Sequence, residues 1–451
     1  MKSAALPGFR DFYPDDLALR SHIFAIWRVV AARYGFEEYD GPPLEPLDLY
    51  TRKSGAEIVG QLYAFEDKGG REVALRPEMT PTLARMVAAR ANGLRKPIRW
   101  FSIPQLFRYE RQQRGRLREH FQLNCDLIGE PGPLGDAELI ALAVDIMRAF
   151  GLGPTDVRVR LSDRRVLSAL LHAAGVAEAA LPDAFQTIDK IERMRRDELA
   201  EQLKGIGFEA GQIDGVFRIA ALRGLPAVQA EATAVGAAPG ALAPLEEVVA
   251  ALEAMGLGAF IEVDCSIVRG LAYYTGTVFE LFDAARSLRA IAGGGRYDTL
   301  LDALGGVDLP ALGFGMGDVV LAELLKERGI APPGAPAVSV FVAAVTGEDR
   351  PHVLRIAHEL RDAGVSVEYA LAAQPIGKQL KLADARGARL AVVVGPDDRD
   401  RGEVVLKDLS GKGQHAVRAS QLLAGIQNIL GSVGEPPTRE GTQEHGEQHV
   451  I

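Results

Sequence analysis

Cysteine is scarce, with 2 in 451 residues. Cys125 and Cys265 form no spacing that reads as a metal or redox motif. Two thiols kept reduced and buried point to the cytoplasm. Long apolar runs are missing too: no stretch reaches the ~18–20 residues of a membrane span, which excludes a helical membrane class. The opening Met1-Lys-Ser-Ala-Ala-Leu-Pro-Gly-Phe-Arg lacks the apolar centre of a secretory leader. An excess of positive charge is also absent. Lysine and arginine number 51 against 60 acids, a net charge of -9. That excludes a chain-wide electrostatic footprint for nucleic acid, though local patches matter more than the total.

What is present suits a globular protein of two or three domains: 47% apolar and 25% charged residues. One patch stands out. Between Phe107 and Arg118 lie five arginines (Arg108, Arg111, Arg114, Arg116, Arg118) and one acid, Glu110. A solvated loop would read the same way, but an all-arginine set favours an anion site, because each guanidinium offers a fixed fork of donors.

Asp15 or Asp16 caps a helix that runs to Tyr34, with Leu19, Ile23, Ile26, Trp27 and Val30 at helical spacing and Gly35 as its stop. Strands are expected at 62–65 and 72–75, and a helix from Pro81 to Ala91. Phe107-Arg-Tyr-Glu-Arg, the arginine loop and Phe121-Gln-Leu-Asn-Cys-Asp read as strand, loop, strand. An amphipathic helix starts at Asp136, and a strand alternates through Val157, Val159 and Leu161. From 165 to 257 the chain is alanine-rich and helical in period. Ala292-Gly-Gly-Gly-Arg-Tyr-Asp, taken alone, suits a flexible loop or a phosphate turn. Pro332, Pro333, Gly334 and Pro336 mark a linker. Strands alternating with helices after it give a small α/β domain.

The most informative stretch is Ser266-Ile-Val-Arg-Gly-Leu-Ala-Tyr-Tyr-Thr-Gly-Thr-Val-Phe-Glu. A turn with Gly270 and Gly276 feeds a strand, and Arg269 stands before two tyrosines. Arg-Gly-Leu-x-Tyr-Tyr-Thr-Gly-Thr-Val-Phe-Glu resembles the histidine-specific signature of histidine–tRNA ligases, which are class II aminoacyl-tRNA synthetases. The arginine hairpin is similar to class II motif 2, and Ala292-Gly-Gly-Gly-Arg-Tyr-Asp, beside Arg269, resembles the family's second histidine motif, where backbone lies close to the substrate. The first helix with Pro42 is similar to motif 1, and Ala311-Leu-Gly-Phe-Gly-Met-Gly-Asp occupies the place of motif 3. Lys378-Gln-Leu-Lys-Leu-Ala-Asp resembles the anticodon-binding domain of this class. The resemblance covers about Gly8 to Leu430.

This resemblance implies an α+β catalytic domain, an antiparallel sheet flanked by helices, over 1–164 and 258–328. It implies a helical insertion at 165–257, a linker at 329–337, an α/β anticodon-binding domain at 338–431 and a disordered tail at 432–451. The implied reaction activates L-histidine with ATP, aided by Mg²⁺, and passes it to tRNA(His), in a homodimer joined through the catalytic domain. Arg269 and Arg108 are the implied catalytic residues. Glu78, Met79, Thr80, Gln122, Asp126, Tyr273 and Tyr274 are implied around histidine. Arg108, Glu110, Arg116, His120, Phe121 and Arg269 are implied around ATP. No resident metal ligands are expected.

Several positions depart from the family's pattern. Met79 stands where glycine is usual, Asp126 where glutamate is frequent, and Ala272 where aspartate is frequent. The Glu-Arg that ends motif 3, whose arginine grips the ATP γ-phosphate, is Val319-Val320 here. Arg116 or Arg118, with Mg²⁺, is the expected substitute. The missing arginine also keeps open an alternative: a non-catalytic histidine-binding relative, the regulatory subunit of ATP phosphoribosyltransferase.

Overall fold

The computed structural model describes residues 5–51, 59–111, 113–238, 240–269, 273–330, 338–411 and 413–431. The turn at Gly270, the Leu271–Ala272 pair, positions 331–337 of the expected linker and the expected tail lie outside the described residues. The chain divides into two compact units, Met1–Pro333 and Gly334–Ile451.

In the first unit, helix α1 (Pro14–Arg33) buries Leu19, Ile23, Trp27 and Val30 along one stripe. Its N-cap is Tyr13, without a side-chain cap bond. Asp15 and Asp16 sit in the first turn instead, where the helix dipole favours acids. Gly35 ends the helix at φ +73°. Strands β1 (Glu37–Glu38) and β2 (Leu44–Pro46) follow, with α2 (Asp48–Thr51), the hairpin β3 (Tyr63–Glu66) and β4 (Glu72–Leu75), and helix α3 (Thr80–Arg90). Then come β5 (Ile98–Ser102), β6 (Gln105–Phe107), β7 (Glu119–Ile128), α4 (Pro133–Ala149) and β8 (Val157–Asp163). The stretch from 164 to 254 is helical: α5 (Arg164–Ala173), α6 (Leu181–Lys190), α7 (Arg196–Gly205), α8 (Ala210–Ala220), α9 (Leu225–Val235) and α10 (Ala243–Ala254). The chain returns through β9 (Ile261–Val263), β10 (Thr277–Asp283), β11 (Ala292–Arg296), α11 (Leu300–Gly305), β12 (Ala311–Gly317) and α12 (Asp318–Glu327).

Among the described residues the main sheet runs β1-β5-β7-β12-β11-β10-β8-β9, with β6 also paired to β7. Its outer pairs β1–β5 and β8–β9 are parallel, and the inner pairs are antiparallel. Strands β2, β4 and β3 form a small separate sheet. Helix α4 packs on the back of the main sheet and is buried at almost every position from Ala137 to Met147. Leu167 and Leu170 on α5, Val216 on α8 and Leu245 on α10 belong to the same apolar cluster as Trp27, Leu123 and Leu142. The helical stretch therefore shares the sheet's core.

Strand β11 corrects the loop reading of Gly293-Gly-Gly. It is fully buried between β10 and β12. A Cβ at Gly294 would lie 2.5 Å from that of Phe314, and one at Gly295 would lie 2.5 Å from the Thr277 carbonyl. Glycine is kept here for close backbone approach, despite its poor strand propensity.

Arg296, at the end of β11, is 1% exposed. It donates to Asp136 Oδ2 on α4 from Nη2 at 2.7 Å and to the carbonyls of Glu130 and Gly132. A second buried arginine, Arg160 on β8, donates from Nε to Asp264 Oδ2 at 2.5 Å and from Nη2 to Glu192 Oε1 at 2.6 Å. Arg223 adds a 2.9 Å ion pair to Asp264. Glu192 and Arg223 come from the helical stretch, and Asp264 begins the segment that carries Arg269.

The second unit contains β13 (Val340–Ala344), α13 (Arg350–Asp362), β14 (Val367–Tyr369), α14 (Ile376–Ala385) and β15 (Leu390–Val394). It ends with α15 (Pro396–Asp400), β16 (Glu403–Asp408), β17 (Gly413–Arg418) and α16 (Leu422–Gly431). The sheet order is β14-β13-β15-β16-β17, parallel in its first three strands and antiparallel after. This is the α/β alternation legible in the sequence.

Asp136→Ala strips the carboxylate from a buried guanidinium. Its cost is expected at about 3 kcal/mol, the low end for a broken buried pair because the two carbonyls remain. Urea unfolding followed by circular dichroism measures it.

Candidate active site

The strand period builds the pocket floor. On β7, Leu123, Cys125 and Leu127 face the apolar cluster. The alternate residues Gln122, Asn124 and Asp126 line a pocket on the other face. Glycines on the neighbouring strands leave room for them. A Cβ at Gly315 would lie 2.6 Å from Gln122 Cδ, and one at Gly313 would collide with the Asp126 carboxylate. A Cβ at Gly293 would collide with the Arg269 guanidinium.

Arg269 sits at φ +55°, a left-handed conformation that costs a non-glycine residue on the order of 1 kcal/mol. Its Nη1 donates to Glu280 Oε1 on β10 at 2.6 Å, which ties the strained residue to the sheet. Among the described residues its buried Nε finds no acceptor. Burial works against the cation, but Tyr274 and Glu280 outweigh it, and the guanidinium stays charged. Arg108, beyond β6, donates from Nε to the Pro77 carbonyl at 2.9 Å and also reaches the pocket.

Three phenols form one wall. The rings of Tyr273 and Tyr274 lie 5.0 Å apart, and Tyr297 meets Tyr273 edge-on at 5.9 Å. Tyr297 donates its hydroxyl to Asp126 Oδ1. Burial pushes the Asp126 carboxyl up to about 7, against the pull of that hydrogen bond. Glu78 and Thr80, at the start of α3, complete the wall.

Eight of the expected residues thus meet in one pocket: Glu78, Thr80, Arg108, Gln122, Asp126, Arg269, Tyr273 and Tyr274. Met79 does not line it. Its side chain is fully buried, with the sulfur 3.8 Å from Arg76 Nη1, because an apolar thioether between two polar residues turns inward. Phe121 is misplaced as an ATP neighbour as well. It lies on the core face of β7, 5.3 Å from the Phe24 ring and 6.4 Å from Phe12. His120 is on the opposite face by strand alternation. Its ring is pushed down to about 3 by burial and by Arg108, Arg10 and Arg116, so it is neutral. Glu110 is buried and accepts from Arg116 Nη2 at 2.6 Å.

Asn124 and Tyr297 were not expected at the site. Asn124 was recoverable from the period of two through Gln122 and Asp126. Tyr297 was recoverable from its place after the glycine run.

A sequence model of the family described as histidyl-tRNA synthetase matches residues 8–318. The chain belongs to the histidyl-tRNA synthetase family. An anticodon-binding-domain model matches residues 339–429. The histidine–tRNA ligase of Opitutus terrae is 46% identical over 431 residues, spanning 94% of this chain and 98% of that one. The chloroplastic/mitochondrial histidine–tRNA ligase of Arabidopsis thaliana is 42% identical, with 92% and 85% covered. The histidyl-tRNA synthetase crystal structure from Nostoc sp. PCC 7120 superimposes with TM-score 0.82 at 26% identity, over 95% of this chain and 100% of that one. A Bacillus halodurans structure titled as an ATP phosphoribosyltransferase regulatory subunit/histidyl-tRNA synthetase gives TM-score 0.73 at 21% identity over 88% and 99%, a likeness of fold. The class II catalytic fold with a C-terminal anticodon-binding domain is therefore the architecture of this chain.

Asp126 makes the site costly to fold. Its carboxyl titrates at about 7 in the fold, against ~3.9 in an unfolded chain. The folded state holds the proton more tightly, so this contribution is fully present below pH ~4 and is lost as pH rises through about 7. Asp126→Asn is therefore expected to melt at a higher temperature than the wild type at pH 8. The difference should shrink toward pH 4 in melts without histidine.

Proposed function

We propose that this pocket is where the chain joins L-histidine to ATP before passing the histidyl group to tRNA. The overall activity is that of a histidine–tRNA ligase with ATP as substrate. What supports the assignment to this pocket is that Arg269, Arg108, Glu78, Asp126 and the tyrosine wall line one cavity.

In this reading Glu78 holds the α-ammonium of histidine. Asp126, fixed by Tyr297, accepts from the imidazole, while Tyr273 and Tyr274 flank ring and carboxylate. A smaller or donorless side chain would leave Asp126 buried without its partner, which discriminates strongly. Gln122 and Thr80 orient the carboxylate, which attacks the α-phosphate and expels pyrophosphate. Charge grows on the phosphate oxygens in the transition state. Arg269 and Arg108 meet it as preorganised cations, and the unsatisfied Nε of Arg269 gains its acceptor there. Glu110 and His120 take the adenine, with Arg116 holding Glu110 in place.

Mg²⁺ would be carried chiefly by phosphate oxygens and water, as is usual for this ion. Glu280 fits as a protein ligand: it is part exposed and meets Arg269 through Oε1. When bound, the ion screens the phosphate charges.

The residues 165–257 are assigned as an insertion that meets tRNA, and 338–431 as the anticodon-binding domain. A homodimer through the catalytic domain is proposed, with exposed Leu44 on β2 and Phe65 on β3 as apolar surface for the second copy. A cytoplasmic site of action follows from its role in translation. Within the first unit no described helix is long and apolar enough to cross a membrane, and the same holds for the second.

Val320 favours a second reading, a histidine-binding regulatory subunit. Pyrophosphate exchange into ATP separates the two. Exchange is expected with histidine and with no other amino acid, and Arg269→Ala is expected to lower its rate by about 10²–10³-fold. Histidine binding without exchange in the wild type would select the second reading.

A further inference from the structure

The position that usually carries the terminal-phosphate arginine is Val320 on α12. This residue is 7% exposed and part of the apolar core. It presents no charge to ATP. The hairpin tip between β6 and β7 packs directly against it: a Cβ at Gly115 would lie 3.3 Å from Val320 Cγ2.

The same point is 3.6 Å from Cδ of Arg289 and 4.0 Å from its Cγ. Arg289 belongs to the loop from β10 to β11, so a third chain segment brings a cation to the place where α12 lost one. The loop is fixed by Asp283, whose carboxylate accepts from the backbone N–H groups of Ser287 and Leu288, both at 2.9 Å. Leu288 also packs against the core. Arg289 itself is exposed and donates from Nη2 to the Gln113 side-chain oxygen.

Three of the hairpin arginines are committed elsewhere. Arg114 pairs with Glu323 and Glu327 at 3.2 and 2.6 Å. Arg116 holds Glu110 at 2.6 Å. Arg118 stacks over Tyr109 at 4.1 Å and donates to the Glu110 carbonyl. Arg289 forms no ion pair among the described residues, and a neutral amide is readily exchanged for a phosphate oxygen.

The spacing also fits. Arg289 is four positions before Gly293, the residue against which the Arg269 guanidinium lies. Four residues span at most about 14 Å. The Arg289 backbone therefore lies within that distance of the residue that Arg269 touches.

We infer that Arg289 binds the terminal phosphate of ATP, replacing by position the arginine absent at 320. This displaces Arg116 and Arg118 from that role, and it rests on the proposed function of the pocket.

The test is calorimetric titration of ATP and of AMP, both with Mg²⁺, into wild type, Arg289→Ala, Arg289→Lys and Arg111→Ala. Loss of a charged hydrogen-bond donor is expected to weaken ATP about ten- to a hundredfold in Arg289→Ala. AMP, which lacks the outer phosphates, should change less than about twofold, and Arg289→Lys should recover part of the loss. Unchanged ATP affinity, equal weakening of ATP and AMP, or a larger ATP effect in Arg111→Ala would overturn the inference. Wild type that binds ATP yet never exchanges pyrophosphate would overturn the pocket's proposed function alone. Wild type that binds no ATP would overturn both.

Discussion

The site depends on backbone without side chains. Gly293, Gly313 and Gly315 leave a strip of bare main chain on two adjacent strands. Into that strip lie the guanidinium of Arg269, the carboxylate of Asp126 and the amide of Gln122. A methyl group at any of the three would lift a polar side chain off the floor. The apolar cluster behind the sheet holds the strip flat, and the pairing of β11 with β10 and β12 sets its register. Strand propensity is sacrificed locally, and neighbouring strands and α4 make up for it.

The two arginines at the site and the two beneath it divide the work. Arg160 and Arg296 are buried, each surrounded by carboxylates or carbonyls, and act as internal braces. Arg269 has one carboxylate partner and an unmet donor, and Arg108 donates to a carbonyl and lines the pocket. The same side chain thus braces the fold where its fork is filled and lines the pocket where it is left partly open. Asp126 shows the converse trade: a carboxyl buried in the pocket wall opposes folding above the pH at which it loses its proton.

Much of this was legible in the residues. The alternation of Leu123, Cys125 and Leu127 with Gln122 and Asp126 identifies β7 and both of its faces. The Arg269–Tyr274 stretch points to the chemistry through its resemblance to a family signature; its residue types alone would suit a half-buried strand with a capping arginine. Three other features were hidden. Gly293-Gly-Gly, taken alone, reads as a loop or phosphate turn because composition does not reveal the strands on either side; only the resemblance to the second histidine motif points to close approach. Phe121 looks like a nucleotide neighbour until strand parity turns it to the core, where Phe24 and Phe12 wait. Arg289 carries no local signal, since its setting is made by Gly115 and Val320 far away in sequence.

The knot of Arg160, Asp264, Glu192 and Arg223 has a mechanical consequence. The segment bearing Arg269 departs from a residue clamped on one side by the sheet and on the other by the helices of 164–254. Those helices are therefore no detachable cassette. Four charged side chains join them to the root of the segment that carries Arg269.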